Sequence, residues 1–330
     1  MKKLISIVLP ILNEEYHIPL LNQHMAKIFA VMPNYDYELI FVDDGSTDSS
    51  WKIIEGLAHG ESQVKGLSLS RNFGQMPALK AGLHYAQGEC VITLDADLQH
   101  PPELITQMIH KWEEGFAIVY AHRIKRNEER FSKRITAQLF NWAISLVSDN
   151  SMPNNVSDFR LMDRKVVEEV IKFEDERPFW RGIVAWSGFN YALVDYQCNA
   201  RAHGTTRYGL NKLTERAIDA LIGFSTLPIR LLGIFAGILL ASSLGIFAYV
   251  LSEVIMRHTS LHLLIIASIG CNLFLMSFVF FALWLLSEYV SRIYNQQRKR
   301  PTYIIEKTAN VNLSVVSHKN VTRELSEHHI

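Results

Sequence analysis

Two stretches of this 330-residue chain, Ile229–Val254 and His262–Val290, run apolar, rich in Gly and Ala, and meet no charge until their ends. At 1.5 Å per residue each is long enough to cross the ~30 Å hydrocarbon layer of a bilayer. A soluble core helix seldom runs so far without a polar stripe, so the expectation is two transmembrane helices. The short connection Met256–Leu261 makes them a hairpin. Arg216 and Arg230 precede the first span, Arg292, Arg298, Lys299 and Arg300 follow the second, and only Arg257 is firmly charged between them. The positive-inside bias then puts both termini, and everything before about residue 225, on the cytoplasmic side of a multi-pass membrane protein.

Residues 1–225 have a different character. Short Val/Ile/Leu runs at Leu4–Leu9, Tyr37–Val42, Val64–Ser70, Cys90–Leu94 and Ala117–Ala121 alternate with segments of helical spacing, Ile18–Phe29, Ser49–Leu57 and Met76–Tyr85. Continuous apolar strands alternating with helices imply an α/β domain whose parallel sheet is covered on both faces. Such sheets bind ligands beyond the carboxyl ends of their strands. The N-terminus superficially resembles a signal peptide. Its apolar run is only about six residues and is broken by Pro10, Glu14 and Glu15, so a buried first strand is expected. Charge is balanced, 33 basic against 33 acidic residues, which gives no global pull toward nucleic acid. Three scattered cysteines, Cys90, Cys198 and Cys271, form neither a disulfide framework nor a zinc motif. Phe131, Ile135, Leu139, Trp142 and Leu146 fall at helical spacing behind a basic start that includes Arg126 and Arg130. Residues 131–147 read either as an amphipathic helix on an anionic surface or as an ordinary domain helix with a solvated basic face. The basic juxtamembrane segment and tail, 291–330, lack periodicity after Tyr303, and a loosely ordered end is expected.

The chemistry-bearing residues follow predicted strands. Pro10-Ile11-Leu12-Asn13-Glu14-Glu15 ends one, Val42-Asp43-Asp44-Gly45-Ser46-Thr47-Asp48 another, and Asp95-Ala96-Asp97-Leu98-Gln99 a third. On extended backbone Asp95 and Asp97 point the same way. Carboxylates side by side repel unless a hard cation sits between them and a phosphate. Mg²⁺ or Mn²⁺ takes such oxygen ligands and shares them with a substrate diphosphate. A lone Asp-x-Asp is a weak signal; three acidic motifs, each on a strand end, are a strong one.

In this order the three motifs resemble the family 2 glycosyltransferases, whose GT-A fold is Rossmann-like with a mostly parallel sheet. Asp97-Leu98-Gln99-His100-Pro101-Pro102, Ser70-Arg71-Asn72-Phe73-Gly74 and the paired C-terminal spans narrow the likeness to polyprenyl-phosphate glycosyltransferases. That branch contains dolichyl-phosphate mannose synthase and the bactoprenol glucosyltransferases of O-antigen modification. The resemblance implies that Pro10, Asn13, Glu14 and Asp43 line the nucleoside pocket and that Asp95 sits near ribose and diphosphate. It implies that Asp97, helped by Gln99, holds the metal and takes part in catalysis. Arg123, Arg201 and Arg207 would contact the nucleotide phosphates; Arg207 stands where the family commonly has Lys, so the charge is kept and the donor geometry changes. Asp158 matches a position proposed as catalytic base, and Arg160 could meet the acceptor phosphate. An acceptor phosphate is already largely anionic near neutral pH, so Asp158 could instead orient the acceptor or bind sugar hydroxyls.

The implied reaction is inverting transfer of a sugar, glucose before N-acetylglucosamine, mannose or aminoarabinose, from a UDP-sugar to undecaprenyl phosphate at the inner membrane. Implied partners are the lipid bilayer, further copies of the chain, a small flippase and a later glycosyltransferase. Plainer roles stand beside these: Asp44 and Asp48 as helix caps, Glu15 as a solvated charge, Arg71 and Asn72 as turn residues, His203 as a loop residue. A processive polysaccharide synthase would carry Gln-x-x-Arg-Trp, to which Arg177-Pro178-Phe179-Trp180 is only an approach. A non-catalytic nucleotide-sugar-binding subunit is opposed by the intact carboxylate set. No G-x-G-x-x-G follows the first strand and no G-x-x-x-x-G-K-[ST] is present, which disfavours dehydrogenase and P-loop chemistry.

Overall fold

The computed structural model describes residues 2–124, 153, 156–173, 180–196, 227–256, 261–297 and 300–311. Residues 131–147, Arg126, Arg130, Cys198, Arg201, His203, Arg207, Arg257 and the chain beyond 311 lie outside the described residues. The chain divides into a sheet unit and a helical unit.

In the sheet unit the described elements run β1 (Lys3–Ile11), α1 (His17–Ala30), β2 (Tyr35–Asp43), α2 (Ser50–Gly60), β3 (Val64–Leu69), α3 (Gln75–Tyr85), β4 (Cys90–Thr93) and α4 (Leu104–Glu113). They continue with β5 (Ile118–Arg123), β6 (Val156–Asp163), α5 (Arg164–Val170), α6 (Trp180–Trp186) and β7 (Tyr191–Tyr196). Two long helices, α7 (Leu227–Met256) and α8 (Leu261–Gln297), make up the helical unit, and β8 (Ile305–Ala309) returns to the sheet. The first strand is in place where a signal peptide was weighed against it.

β1 is buried along both faces, as its unbroken apolar run requires. Ile5, Ile7, Leu9 and Ile11 face a core shared with α1, α2 and α4, through residues such as Leu21, Met25, Ile54, Ile105 and Met108. Each such side chain removed from water contributes about 1.5–3 kcal/mol. Ser6 and Val8 alternate to the opposite face, where α3 lies so close at Gly82 that an added Cβ would collide with Val8. Helices on both faces leave only the ends of the sheet open to a ligand.

The strand order is β7-β5-β6-β4-β1-β2-β3-β8. The pairings β1–β2, β1–β4, β2–β3 and β5–β7 are parallel, while β4–β6, β5–β6 and β3–β8 are antiparallel. The sheet is therefore mixed and mostly parallel, where the repeating strand–helix pattern predicts parallel strands alone. Two strands the pattern does not disclose make the difference. β6 reads Val-Ser-Asp-Phe-Arg-Leu-Met-Asp, its charged residues hiding an apolar alternation. β8 lies in the segment expected to be loosely ordered. Its backbone pairs with β3 from Gly66↔Ala309 to Leu69↔Ile305, and Ser70 N–H donates to the Ile304 carbonyl at 2.9 Å. The Tyr303 hydroxyl meets His84 Nδ1 at 2.8 Å, and Asn310 Nδ2 donates to the Ser62 and Val64 carbonyls. Without β8 the edge of β3 would present unpaired amides; the exposed Glu306 and Lys307 blunt the new edge.

In the helical unit both expected apolar segments are helical. Phe235 on α7 stacks on Phe278 of α8 with ring centroids 5.8 Å apart, the two residues lying at comparable distances along the chain from the break between the helices. Among the described residues one segment, Ser268–Ser291, is long and apolar enough to cross a membrane.

Deleting residues from Thr302 onward is expected to lower the melting temperature by several degrees and to raise amide hydrogen exchange across Gly66–Leu69. Exchange in β3 unchanged by the deletion would show that β8 does not protect it.

Candidate active site

Because β1, β2, β3, β4, β5 and β7 run the same way and β6 runs opposite, one edge of the sheet collects every predicted chemical group in the described residues. β1 delivers Asn13 and Glu14 there, β2 delivers Asp43 and Asp44, β4 delivers Asp95 and Asp97, and β5 ends on the exposed Arg123. β6 brings Asp158 in by its N-terminal end, since Thr93 pairs with Arg160 and the Thr93 hydroxyl donates to the Asp158 carbonyl at 2.6 Å. Continuing that register would put Asp158 opposite Asp95.

On one flank, the β1–α1 and β2–α2 loops are bonded to each other. Asn13 takes a left-handed conformation, φ 55°, and its side-chain oxygen accepts from Thr47 N–H at 2.8 Å, while its own N–H donates to Ser46 Oγ at 2.9 Å. Glu15 is not merely a solvated charge: its carboxylate accepts from Ser49 N–H, and its N–H donates to Asp48. Asp48 also accepts from Ser50 N–H, at the start of α2, in keeping with its expected capping role. Asp44 caps no helix; it accepts from Phe73 N–H at 2.7 Å and Gly74 N–H at 2.9 Å, clamping the loop that follows β3. Burial pushes the Asp44 carboxyl up to about 6, against those two hydrogen bonds, which favour its charged form. Asp43 is buried and accepts from Ser46 N–H at 3.0 Å, and Pro10, half-buried, pairs in register with Val42. Glu14 reaches back to His17 Nδ1 at 2.7 Å.

In the middle, Asp95 accepts from Gln75 Nε2 at 2.6 Å and lies 3.7 Å from His100 Nε2. Leu98 sits at φ 54°, rare for a residue with a branched side chain, and this turn lets Asp97 accept from the Gln99 N–H at 3.2 Å. Asp95, Asp97 and Gln99 are all partly exposed. Among the described residues no cluster of three or more His, Cys, Asp and Glu side chains forms a ready-made metal cage.

On the other flank, Asp158 is gripped by two guanidinium groups. Arg160 Nη2 donates to it at 2.8 Å, and Arg181 donates through Nε at 3.1 Å and Nη2 at 2.9 Å. Burial alone would raise this carboxyl, but Arg181 and then Arg160 overcome it and hold it at about 2. Arg160, expected to meet a phosphate, is instead 2% exposed, with its guanidinium 5.6 Å from the Tyr120 ring. A residue pointing out of a sheet between packed strands has nowhere else to go. Sequence reasoning missed three participants: Gln75, His100 and Arg181. His100 stands inside the Asp-Leu-Gln-x-Pro-Pro run, and Arg181 directly follows the segment weighed as a Gln-x-x-Arg-Trp approach; nothing in either local pattern marks it as a partner of an aspartate elsewhere in the chain.

Gly45 lies where the β2–α2 loop meets the loop after β3. It sits at φ 73°, and an added Cβ would lie 2.6 Å from Asn72 N and 2.7 Å from the Arg71 carbonyl carbon, both backbone atoms that cannot swing aside. Gly45→Ala should therefore cost about 1–3 kcal/mol in denaturant unfolding. Gly56→Ala, on α2 with nothing within 4 Å, should be neutral or slightly stabilising. Equal effects would refute the close approach of the two loops.

Carboxylates gathered at one end of the sheet are what the three motifs predict, and comparison with known proteins identifies the family. The glycosyl transferase family 2 model matches residues 6–171. The chain is 38% identical over 303 residues to the uncharacterized glycosyltransferase YkcC of Bacillus subtilis, covering 92% of this chain and 93% of that one. It is 36% identical over 306 residues to the prophage bactoprenol glucosyl transferase homolog of Escherichia coli, and 35% over 310 residues to the SfII prophage-derived bactoprenol glucosyl transferase of Shigella flexneri, covering 92% of this chain and 98% of the relative in both cases. With likeness running through the motif-bearing strands and on across nine tenths of the sequence, the chain belongs to glycosyl transferase family 2 and is a glycosyltransferase.

Proposed function

We propose that the protein transfers a sugar, glucose first among candidates, from a UDP-sugar to polyprenyl phosphate at the cytoplasmic face of the membrane. The observation that carries this reading is the order of groups along one sheet edge. Asn13, Glu14 and Asp43 lie on one flank, Asp95 and Asp97 in the middle, and the Asp158–Arg181 pair on the other. That order suits a donor whose nucleoside lies over β1 and β2, whose diphosphate lies at β4, and whose sugar points toward β6. Relatives named bactoprenol glucosyl transferases support the lipid acceptor.

The donor set at β4 fits Mg²⁺ or Mn²⁺. Such ions use one or two carboxylates and take the rest of their shell from substrate phosphates and water, so partly exposed Asp97 and Asp95 suffice without a cage. When bound, the ion would supply positive charge to the departing diphosphate. Arg201 and Arg207 would add fixed cations for the same charge, while Arg123, at the end of β5 beyond β6, stands on the acceptor flank of the sheet. The acceptor phosphate oxygen forms its bond to the anomeric carbon as the bond to the diphosphate oxygen breaks, the electron pair leaving with UDP. No proton moves in that step, because a phosphate monoester with a second pKa near 6 is already ionised at neutral pH. Asp158 then acts as a positioning residue. A carboxylate held at about 2 by two arginines has almost no affinity for a proton near neutrality.

Residues 1–225 are read as the catalytic domain and 229–254 and 262–290 as spans. The chain leaves the sheet unit before α7 and re-enters it at β8, which supports an even number of crossings. Ser268–Ser291 meets the length and polarity a span needs.

Three outcomes test this. Purified full-length protein with undecaprenyl phosphate, Mg²⁺ or Mn²⁺ and a panel of nucleotide sugars is expected to make a glycolipid from UDP-glucose. No product from any donor, by protein that still binds UDP, would overturn the reaction. Asp97→Asn, or chelator, should lower kcat by about 10²–10³-fold, the scale of losing one electrostatic stabiliser of developing charge. Asp158→Asn should destabilise the fold at pH 7 by about 3 kcal/mol, because it strands buried Arg160. The folded carboxyl lies near 2, below the ordinary 3.8, so the stability it contributes is present above the ordinary value and is lost as pH falls toward 2. The gap between variant and native protein should accordingly narrow below about pH 4. A deficit independent of pH would contradict the ion-pair account.

A further inference from the structure

Asp158 is answered by two arginines, so the cluster on β6 and α6 carries more positive than negative charge. The two arginines differ in exposure. Arg160 is enclosed; the Arg181 side chain is 39% exposed against 13% for Asp158. Arg181 commits Nε and Nη2 to the carboxylate, a fork that fixes the plane of the guanidinium and leaves Nη1 directed away from Asp158. Arg160 Nη1 and Trp180 Nε1 are buried without partners, and both residues border a small, mostly apolar cavity with Leu79, Leu83, Met162 and Val184. Both stranded atoms are hydrogen-bond donors. What the cluster offers an anion is the exposed part of the Arg181 guanidinium, in a group of side chains whose two arginines outnumber their one carboxylate.

The geometry points to Arg181 as the group that grips the phosphate of the lipid acceptor, with Asp158 and Arg160 holding it in place. This rests on the proposed transfer to polyprenyl phosphate and goes beyond it by naming the acceptor contact. Strand order separates the acceptor from the other source of phosphate, the donor. Nucleoside-side groups sit on β1 and β2, β4 carries the paired aspartates, and β6 lies beyond β4 on the far side from β1. A cation on β6 and α6 therefore faces the sugar end of the donor, where an incoming nucleophile must stand. Asp95, close enough to influence Arg181 electrostatically, marks how near that cation comes to the donor diphosphate without sharing its flank. The arrangement also explains why an aspartate is kept where no base is needed: only a buried, doubly bonded carboxylate sets an arginine fork in one orientation.

The test uses the full-length chain in detergent micelles. Binding of farnesyl phosphate and of UDP is measured separately for native protein, Arg181→Ala and Arg181→Lys, with thermal melts as the folding control. Farnesyl phosphate affinity should fall at least tenfold in Arg181→Ala and only partly recover in Arg181→Lys, which keeps the charge and loses the fork; UDP affinity should stay within twofold. In steady state, the KM for polyprenyl phosphate should rise while the KM for the UDP-sugar holds. Unchanged farnesyl phosphate binding overturns the assignment, and so does a parallel loss of UDP, which would give Arg181 to the donor. Should Arg181→Ala melt out, Arg181→Lys is judged by the same readings. Failure here is distinct from failure of the reaction itself. Native protein that makes glycolipid with an acceptor KM indifferent to Arg181 sinks this inference alone. Protein that binds farnesyl phosphate through Arg181 yet transfers no sugar sinks the reaction alone.

Discussion

Acidic side chains brought to one end of a sheet repel one another, and each stays there only because a donor holds it. Asp43 is held by the Ser46 amide, Asp44 by the amides of Phe73 and Gly74, Asp95 by Gln75, Asp97 by the Gln99 amide, and Asp158 by Arg160 and Arg181. The fold depends on this pairing. The loops after β1, β2, β3 and β4 are tied to one another by these carboxylates, through backbone amides at Asp43, Asp44 and Asp97 and through the Gln75 side chain at Asp95. The positive φ values at Asn13, Gly45, Gly74 and Leu98 all fall in these loops, which places the backbone strain where ligand-binding geometry is set.

The carboxylates divide by partner chemistry. Asp43, Asp44, Asp95 and Asp97, following β2 and β4, accept hydrogen bonds from neutral amides. Asp158 is held by cations, and its charge is spent inside the protein. That contrast distinguishes residues that look alike in sequence, and in the proposed reaction Asp158 serves as support for Arg181. The Arg160 side chain, buried against Tyr120, becomes part of that support.

Much of this was legible in the chain. The strands β1 to β5 announce themselves as unbroken apolar runs, and the three acidic motifs fall where a parallel sheet places its strand ends. What stayed hidden has a common cause: partners distant in sequence. β6 carries Ser157, Asp158, Arg160 and Asp163 among its eight residues, so its alternation is masked by charges whose distant partners are Arg181 on α6 and Trp112 on α4. β8 is five residues long, and no periodicity can establish so short a strand; only the open edge of β3 makes it one. Arg181 is one arginine among many until β6 folds beside it. The apolar pattern gave both long helices, but the sequence contained no sign that the chain would come back to the sheet after them.

In the proposed transfer the acceptor phosphate attacks the anomeric carbon directly, with no enzyme nucleophile. Proton NMR of the sugar–phosphate product formed from α-linked UDP-glucose reads the stereochemical course of the transfer. Direct attack predicts a β-linked product. An α-linked product would mean net retention, by two displacements or by front-face attack, and would contradict direct attack from the face opposite the departing diphosphate.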